Sequence, residues 1–304
     1  MTDHPHLARL IEAARPLPAL PTAVVAPENR RSLEGALAAR DAGLIAPILV
    51  GKAGLITEFA RDLGASLDDI EVIDIADHPA AAARAVALVH EGRAGAVMKG
   101  HLRTHDLLEA IVHRDGGLRG PGRMSHVFVM DIRGIDRPVL ITDAALNVAP
   151  DLACKASIAQ NALDLAGALG IAAPKLAALS AVTVPVEAIP SSLEAEELAR
   201  MAGRGEITGG LVQGPMAMDL ALSADAARVK GIDGPVAGLA DILLVPDIES
   251  GNILFKALTH LVGATAAGVV VGASVPVILT SRTDGVPARI ASSALACLYA
   301  ARAR

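Results

Sequence analysis

The stretch Gly95-Ala96-Val97-Met98-Lys99-Gly100-His101 passes in one step from small apolar residues to a cation, a glycine and an imidazole. An apolar run this short, with no polar residue alternating through it, reads as a strand buried on both faces. Similar runs lie upstream at Thr22–Ala26, Ala46–Val50 and Ile70–Ile75. Helix-period segments separate them near Glu28–Ala42, Gly54–Leu63 and Pro79–Glu91. Alternation of this kind describes βαβ units and a largely parallel sheet.

Downstream, Ser125–Ile132 and Pro138–Ile141 form a hairpin-like pair around a turn that carries glycine and charge. A long helix is expected over Leu152–Leu169, stopped by Gly170, which has the permissive backbone of a C-terminal cap. A strand at Lys175–Ser180 leads to Ser191-Ser192-Leu193-Glu194, whose spacing fits a capping box at the start of a helix to about Ala202. Strands at Gly210–Gln213 and Asp241–Val245, then a last helix from about Pro287 to Ala301, complete the pattern. The expected fold class is therefore α/β, with two α/β domains built on largely parallel sheets. The first domain is expected over residues 1–140 plus about 285–304, and the second over about 141–284.

Composition narrows the function. Of 304 residues, 52% are apolar and 20% charged, a globular balance. The formal net charge of -6 runs against a nucleic-acid partner, whose phosphates call for a basic face. Phe59, Phe128, Phe255 and Tyr299 are the whole aromatic complement, too few for base-stacking platforms. Cys154 and Cys297 make no disulfide framework and read as buried thiols. Met1–Glu12 lacks the basic start and apolar run of a signal peptide, so a cytoplasmic address is expected. The uncharged stretch Leu261–Ser281 has the length of a membrane span. Gly263, Gly268, Gly272 and Pro276 interrupt it, however, and Val269–Val271 and Val275–Leu279 read as short buried strands, so no membrane partner is expected.

Ligands of open α/β sheets sit beyond the carboxyl ends of the strands. Four such ends carry chemistry here. Lys99, Gly100 and Arg103 follow one; Thr142, Asp143 and Asn147 follow a second; Glu249, Gly251, Asn252 and Lys256 follow a third; Ser281, Arg282 and Asp284 follow a fourth. The cations suit an anion, and Gly100 and Gly251 would let backbone amides approach it, Gly251 and Asn252 standing just ahead of a helix. Phosphate is a fitting guest, although no Walker-type loop or spaced glycine fingerprint is present.

These segments resemble phosphate acetyl/butyryltransferases. The resemblance rests on Met98-Lys99-Gly100, on residues 140–151, on residues 234–246, on Glu249-Ser250-Gly251-Asn252 with Lys256, and on Leu279-Thr280-Ser281-Arg282-Thr283-Asp284. It runs in order from about residue 20 to the end, and residues 142–151 are closer to the butyryl-type branch. It implies the fold of isocitrate and isopropylmalate dehydrogenases, with an active site in the cleft between two α/β domains. It also implies reversible transfer of a short acyl group between coenzyme A and phosphate through a ternary complex. No tightly bound cofactor, metal or covalent acyl-enzyme is implied; coenzyme A is a substrate, and a homodimer or larger homo-oligomer is expected. Ser281 and Arg282 match the Ser-Arg pair of the family, and Asp284 is the nearby carboxylate in the place of the thiol's base. Asp284 stands closer to the arginine than the corresponding carboxylate of the acetyl-type pattern.

Other readings remain open at this point. His101 and His105, with Asp106 and His113 nearby, have a spacing that can hold zinc or simply line a solvated helix. A dehydrogenase of the same fold, an acyl-carrier-dependent phosphate acyltransferase and a non-catalytic binding protein complete the alternatives.

Overall fold

Short apolar strands alternate with helices, and the chain folds as a mixed α/β structure with mostly parallel pairing. The structure is a computed structural model that describes residues 5–280 and 284–302. In chain order its first elements are α1 (Pro5–Ala14), β1 (Leu20–Val25), α2 (Arg30–Asp41), β2 (Ile45–Gly51), α3 (Ala53–Asp62), β3 (Val72–Asp74), α4 (His78–His90), β4 (Ala96–Lys99) and α5 (Thr104–Val112). They are followed by β5 (Ser125–Asp131), β6 (Val139–Thr142), α6 (Leu152–Ala168), β7 (Lys175–Leu179), α7 (Pro190–Gly203), β8 (Leu211–Met216), α8 (Met218–Leu222), α9 (Ala224–Val229), β9 (Ile242–Leu244) and α10 (Ile248–Leu261). The last elements are β10 (Thr265–Val271), β11 (Val277–Ile278) and α11 (Val286–Arg302).

Two compact units result, Leu7–Gly122 with Ala267–Arg304, and Met1–His6 with Arg123–Ala266. The division falls at Gly122/Arg123, ahead of the β5–β6 hairpin, whereas the sequence pattern puts the end of the first domain at residue 140. The reason lies in pairing: β5 is antiparallel to β6, Val127 opposite Thr142, and this holds both strands in one unit. In the first unit the strand order is β3-β2-β1-β4-β11-β10, parallel except for β11 against β10. In the second it is β5-β6-β9-β7-β8, parallel after the hairpin. Parallel pairing aligns the carboxyl ends of β1, β2, β3 and β4 on one edge, and those of β6, β9, β7 and β8 on another.

Helix starts are set by short polar side chains. Asn29 accepts from the amide of Ser32, Asp77 from Ala80 and Asp151 from Cys154, satisfying first-turn donors of α2, α4 and α6. Gly170, at φ 85°, follows α6 in the left-handed conformation that glycine adopts without strain. With aromatics scarce, aliphatic side chains fill the interior. In the second unit Met130, Ile141, Ala177, Leu220, Val236 and Leu243 belong to one buried cluster.

Several sequence expectations need correction. The expected strand at Ile70–Ile75 contracts to β3, and that at Gly210–Gln213 extends through Pro215 to Met216, which β8 tolerates as the last strand of its sheet. Ser191–Glu194 forms no capping box: α7 starts at Pro190, its N-cap is Ile189, and the Ser192 hydroxyl takes the amide of Val186. Glu194 instead pairs with Lys155. The stretch 261–280 begins at the end of α10 and continues through β10 and β11, and among the described residues no helix is long and apolar enough to cross a membrane.

Candidate active site

In the Arg123–Ala266 unit, β6 delivers Thr142 and Asp143 to its carboxyl end. Thr142 is wholly buried, and its hydroxyl donates to the His126 carbonyl at 3.0 Å. Asp143, only 3% exposed, accepts from the amides of Ala145 and Leu146, each at 3.0 Å, and of Asn147 at 3.2 Å. The Asn147 side chain adds a bond of 2.7 Å to the same carboxylate and another of 2.9 Å to the Met124 carbonyl.

β9 leads to Asp247, which caps α10. Its carboxylate accepts from the Ser250 amide and hydroxyl, both at 2.8 Å. The Ser250 amide is the chief influence holding this carboxyl below its usual range, helped by the Ser250 hydroxyl and the charge of Lys155. Gly251 and Asn252, expected just ahead of a helix with free amides, lie in the first turns of α10, and the Gly251 amide donates to the Asp247 carbonyl at 3.1 Å. Gly251 serves packing: a Cβ there would meet Val245 Cγ2 at 2.7 Å and Ala144 Cα at 3.0 Å. Asn252 reaches the Ala144 carbonyl at 3.4 Å, so the Asp143 loop and α10 meet directly. Glu249, Asn252 and Lys256 are exposed, the last with Nζ 5.9 Å from the Phe255 ring.

In the other unit, Lys99 ends β4 and is 3% exposed, its Nζ 3.4 Å from the Gly100 carbonyl. The Gly100 amide donates to Val25 at 2.8 Å and so points into the protein. A Cβ at Gly100 would come within 2.4 Å of the Val25 and Ala26 carbonyls, so glycine here permits the close approach of β4 to β1. Ala26 has φ 50°, a left-handed conformation rare for a residue with a side chain. Arg103, exposed at the start of α5, pairs with Asp106 at 3.1 Å. Asp284 is half-buried and opposes the downward push that burial gives the Arg289 guanidinium. Ser281 and Arg282 lie outside the described residues.

Glu28 was not among the sequence candidates. It is buried directly after β1, accepts from the Lys52 amide at 2.8 Å and meets His78 Nε2 at 3.1 Å. Beside it an open basin of about 310 Å³ is lined by Lys52, Asp77, His78, Arg103 and Asp106. The signal that would have found Glu28 is the one used elsewhere, a charged residue following a strand. His101 precedes α5, whereas His105 lies on it and is 80% exposed in its side chain, so the two share no helical face. Among the described residues no group of three or more His, Cys, Asp and Glu is arranged to hold a metal.

Both cysteines are buried and unpaired by disulfide. Burial pushes the Cys297 thiol up to about 11, and burial is also the chief cause raising Cys154. At pH 8 the thiolate of Cys297 is then about one part in a thousand. We expect neither cysteine to react promptly with an aromatic disulfide in the folded protein, and both to react after unfolding. A fast native thiol would show that one of them is open to solvent.

Polar side chains gathered at the carboxyl ends of parallel strands mark where proteins of the α/β class bind their ligands. Residues 78–297 match the family described as Phosphate acetyl/butaryl transferase. The chain is 50% identical to a phosphate acetyltransferase of Rhizobium meliloti over 97% of its own length and 94% of that protein's. It is 41% identical to a phosphate butyryltransferase of Clostridium acetobutylicum, over 91% of this chain and 92% of the relative. A branched-chain phosphotransacylase of Enterococcus faecalis V583, known as a crystal structure, superposes with a TM-score of 0.79 at 31% identity, covering 92% of this chain and 99% of that one. The chain belongs to the phosphate acetyl/butyryltransferase family and is an acyltransferase.

Proposed function

We propose that the protein exchanges a short acyl group between coenzyme A and phosphate by direct attack within a ternary complex. The observation that carries this reading is the family match over residues 78–297, which spans the Lys99, Asp143, Asn252 and Arg282 segments together. Toward acyl-CoA, the thiol of coenzyme A loses its proton to a carboxylate, for which Asp284 is the candidate. The sulfur forms a bond to the acyl carbon, and the bond from that carbon to the phosphate oxygen breaks, releasing phosphate. A thiol with a pKa near ~8.5 is mostly protonated at neutral pH, so a carboxylate within reach of sulfur assists the attack. Negative charge grows on the acyl oxygen meanwhile, and Ser281 and Arg282 are the donors assigned to it.

Lys99 and Arg103 supply positive charge for phosphate groups, with Gly100 giving the chain its close turn beside them. Glu249, Asn252 and Lys256, exposed along α10, are assigned to substrate; Thr142, Asp143 and Asn147 stand at the neighbouring strand end, where Gly251 lets α10 sit close to them. We further propose the isocitrate/isopropylmalate dehydrogenase type of fold, the two compact units as its domains, and catalysis in a cleft of that fold. Holding two substrates together contributes roughly 7–11 kcal/mol in well-oriented reactions, so alignment weighs as heavily as any one side chain. A homodimer or larger assembly through α10 fits the exposed Ile253, Leu261 and Val262, at 69%, 83% and 52%.

The test is to incubate the protein with acetyl-, propionyl- and butyryl-coenzyme A in phosphate and follow free thiol, with light scattering on the same sample for its mass. Thiol release with at least one acyl chain is expected. No release with any of the three would end this reading.

A further inference from the structure

We propose that Asp143 and Asn147 act together as positioning residues, a closed hydrogen-bond clamp that shapes residues 143–147 and, through Ala144, seats the first turn of α10. The inference rests on the acyl-transfer reading and redefines what two of its residues do.

A carboxylate offers about four lone-pair positions. Asp143 fills them from its own chain. Its Oδ1 accepts from the amides of Ala145 and Leu146, and its Oδ2 from the amide and the side-chain Nδ2 of Asn147. The Nδ2 group of Asn147 is committed twice, to Asp143 at 2.7 Å and to the Met124 carbonyl at 2.9 Å. Its Oδ1 lies 3.5 Å from the Cys154 sulfur. A substrate group could gain a bond from the Asp143 carboxylate only by displacing one already made, and Asp143 is 3% exposed.

What the clamp produces is a backbone shape. Ala144, wholly buried, lies so close to Gly251 that a Cβ there would sit 3.0 Å from both its Cα and its Cβ. The Ala144 carbonyl takes the Asn252 amide group at 3.4 Å. Past this contact, Glu249, Asn252 and Lys256 stand exposed. The clamp therefore acts on substrate through α10, by fixing where those side chains stand.

Kinetics of Asp143→Asn, Asn147→Ala and the double variant test this, with circular dichroism confirming that each is folded. Each single change is expected to raise KM for acyl-coenzyme A about tenfold with kcat largely kept, because it disturbs residues that hold substrate. The double variant is expected to do no worse than the poorer single, since both break one unit. The pH profile of kcat/KM should keep its wild-type shape in Asp143→Asn. Singles whose effects multiply to about a hundredfold, a lost limb in that profile, or a fall in kcat with unchanged KM would each overturn the proposal. If Asp143→Asn does not fold, Gly251→Ala combined with Asn147→Ala forms the same cycle, with the same two outcomes. An inactive wild-type protein would count against acyl transfer itself, whereas the clamp is judged only from differences between variants.

Discussion

Arg282→Ala is expected to lower kcat in the thiol-release assay by at least about tenfold while the protein stays folded, on the proposed mechanism. Removing one donor to a developing oxyanion typically costs about 2.7–4 kcal/mol, or a hundredfold to a thousandfold. The smaller figure allows for the Ser281 hydroxyl, which would continue to serve the same oxygen. The chain ahead of this segment is buried: Val277 and Ile278 are wholly buried on β11, and Thr280 is 5% exposed. Arg282→Lys is a useful companion, because an ammonium keeps the charge but loses the planar fork of donors. If charge alone matters, lysine restores most of the rate; if donor geometry matters, it restores little. Near-normal turnover of Arg282→Ala would remove the residue from the mechanism.

Glu194→Ala is expected to lower the stability of the Arg123–Ala266 unit. Lys155 on α6 has a side chain only 7% exposed and is paired with Glu194 on α7, whose side chain is 28% exposed. Removing the carboxylate takes the paired counter-charge from a buried ammonium and leaves it the weaker influence of Asp247. A fully buried pair broken in this way costs about 3–5 kcal/mol, and an exposed one 1 kcal/mol or less. The partial exposure of Glu194 places the expectation at about 2 kcal/mol, a fall in Tm of about 4–8 °C for a unit of this size. Replacing both residues together, Lys155→Met with Glu194→Leu, should return most of the loss, because the buried ammonium is then gone with its partner. A melting temperature within about one degree of wild type for Glu194→Ala would show the pair to be solvated.

Much of the fold is legible in the sequence because burial on both faces leaves an unmistakable mark. Gly95–Met98 and Asp241–Val245 could be little else than central parallel strands, and the structure places β4 and β9 there, shifted by about a residue. Less legible is anything decided by a distant partner. A serine three residues before a glutamate looks the same whether the glutamate turns back to cap its helix or reaches α6, as Glu194 does. Gly251 reads as an opening for an anion until Ala144 and Val245 appear against it. Asp143 and Asn147 show the same difficulty at the site itself. Polarity at a strand end marks them as important, yet only coordinates reveal that their hydrogen bonds turn inward. Glu28 escaped notice because one carboxylate after a strand is unremarkable without Lys52 and His78 beside it.

The buried cysteines have a consequence for chemoselectivity. A chain that handles thioesters and acyl phosphates is exposed to its own nucleophiles, and a free thiolate near the acyl group would capture it. Cys154 stands beside Asn147, one step from the Asp143 loop, with burial pushing its thiol pKa up. Cys297 lies in the other unit, donating to the Leu44 carbonyl at 3.0 Å. Burial of both sulfurs therefore works against capture of an acyl group by the protein's own thiols.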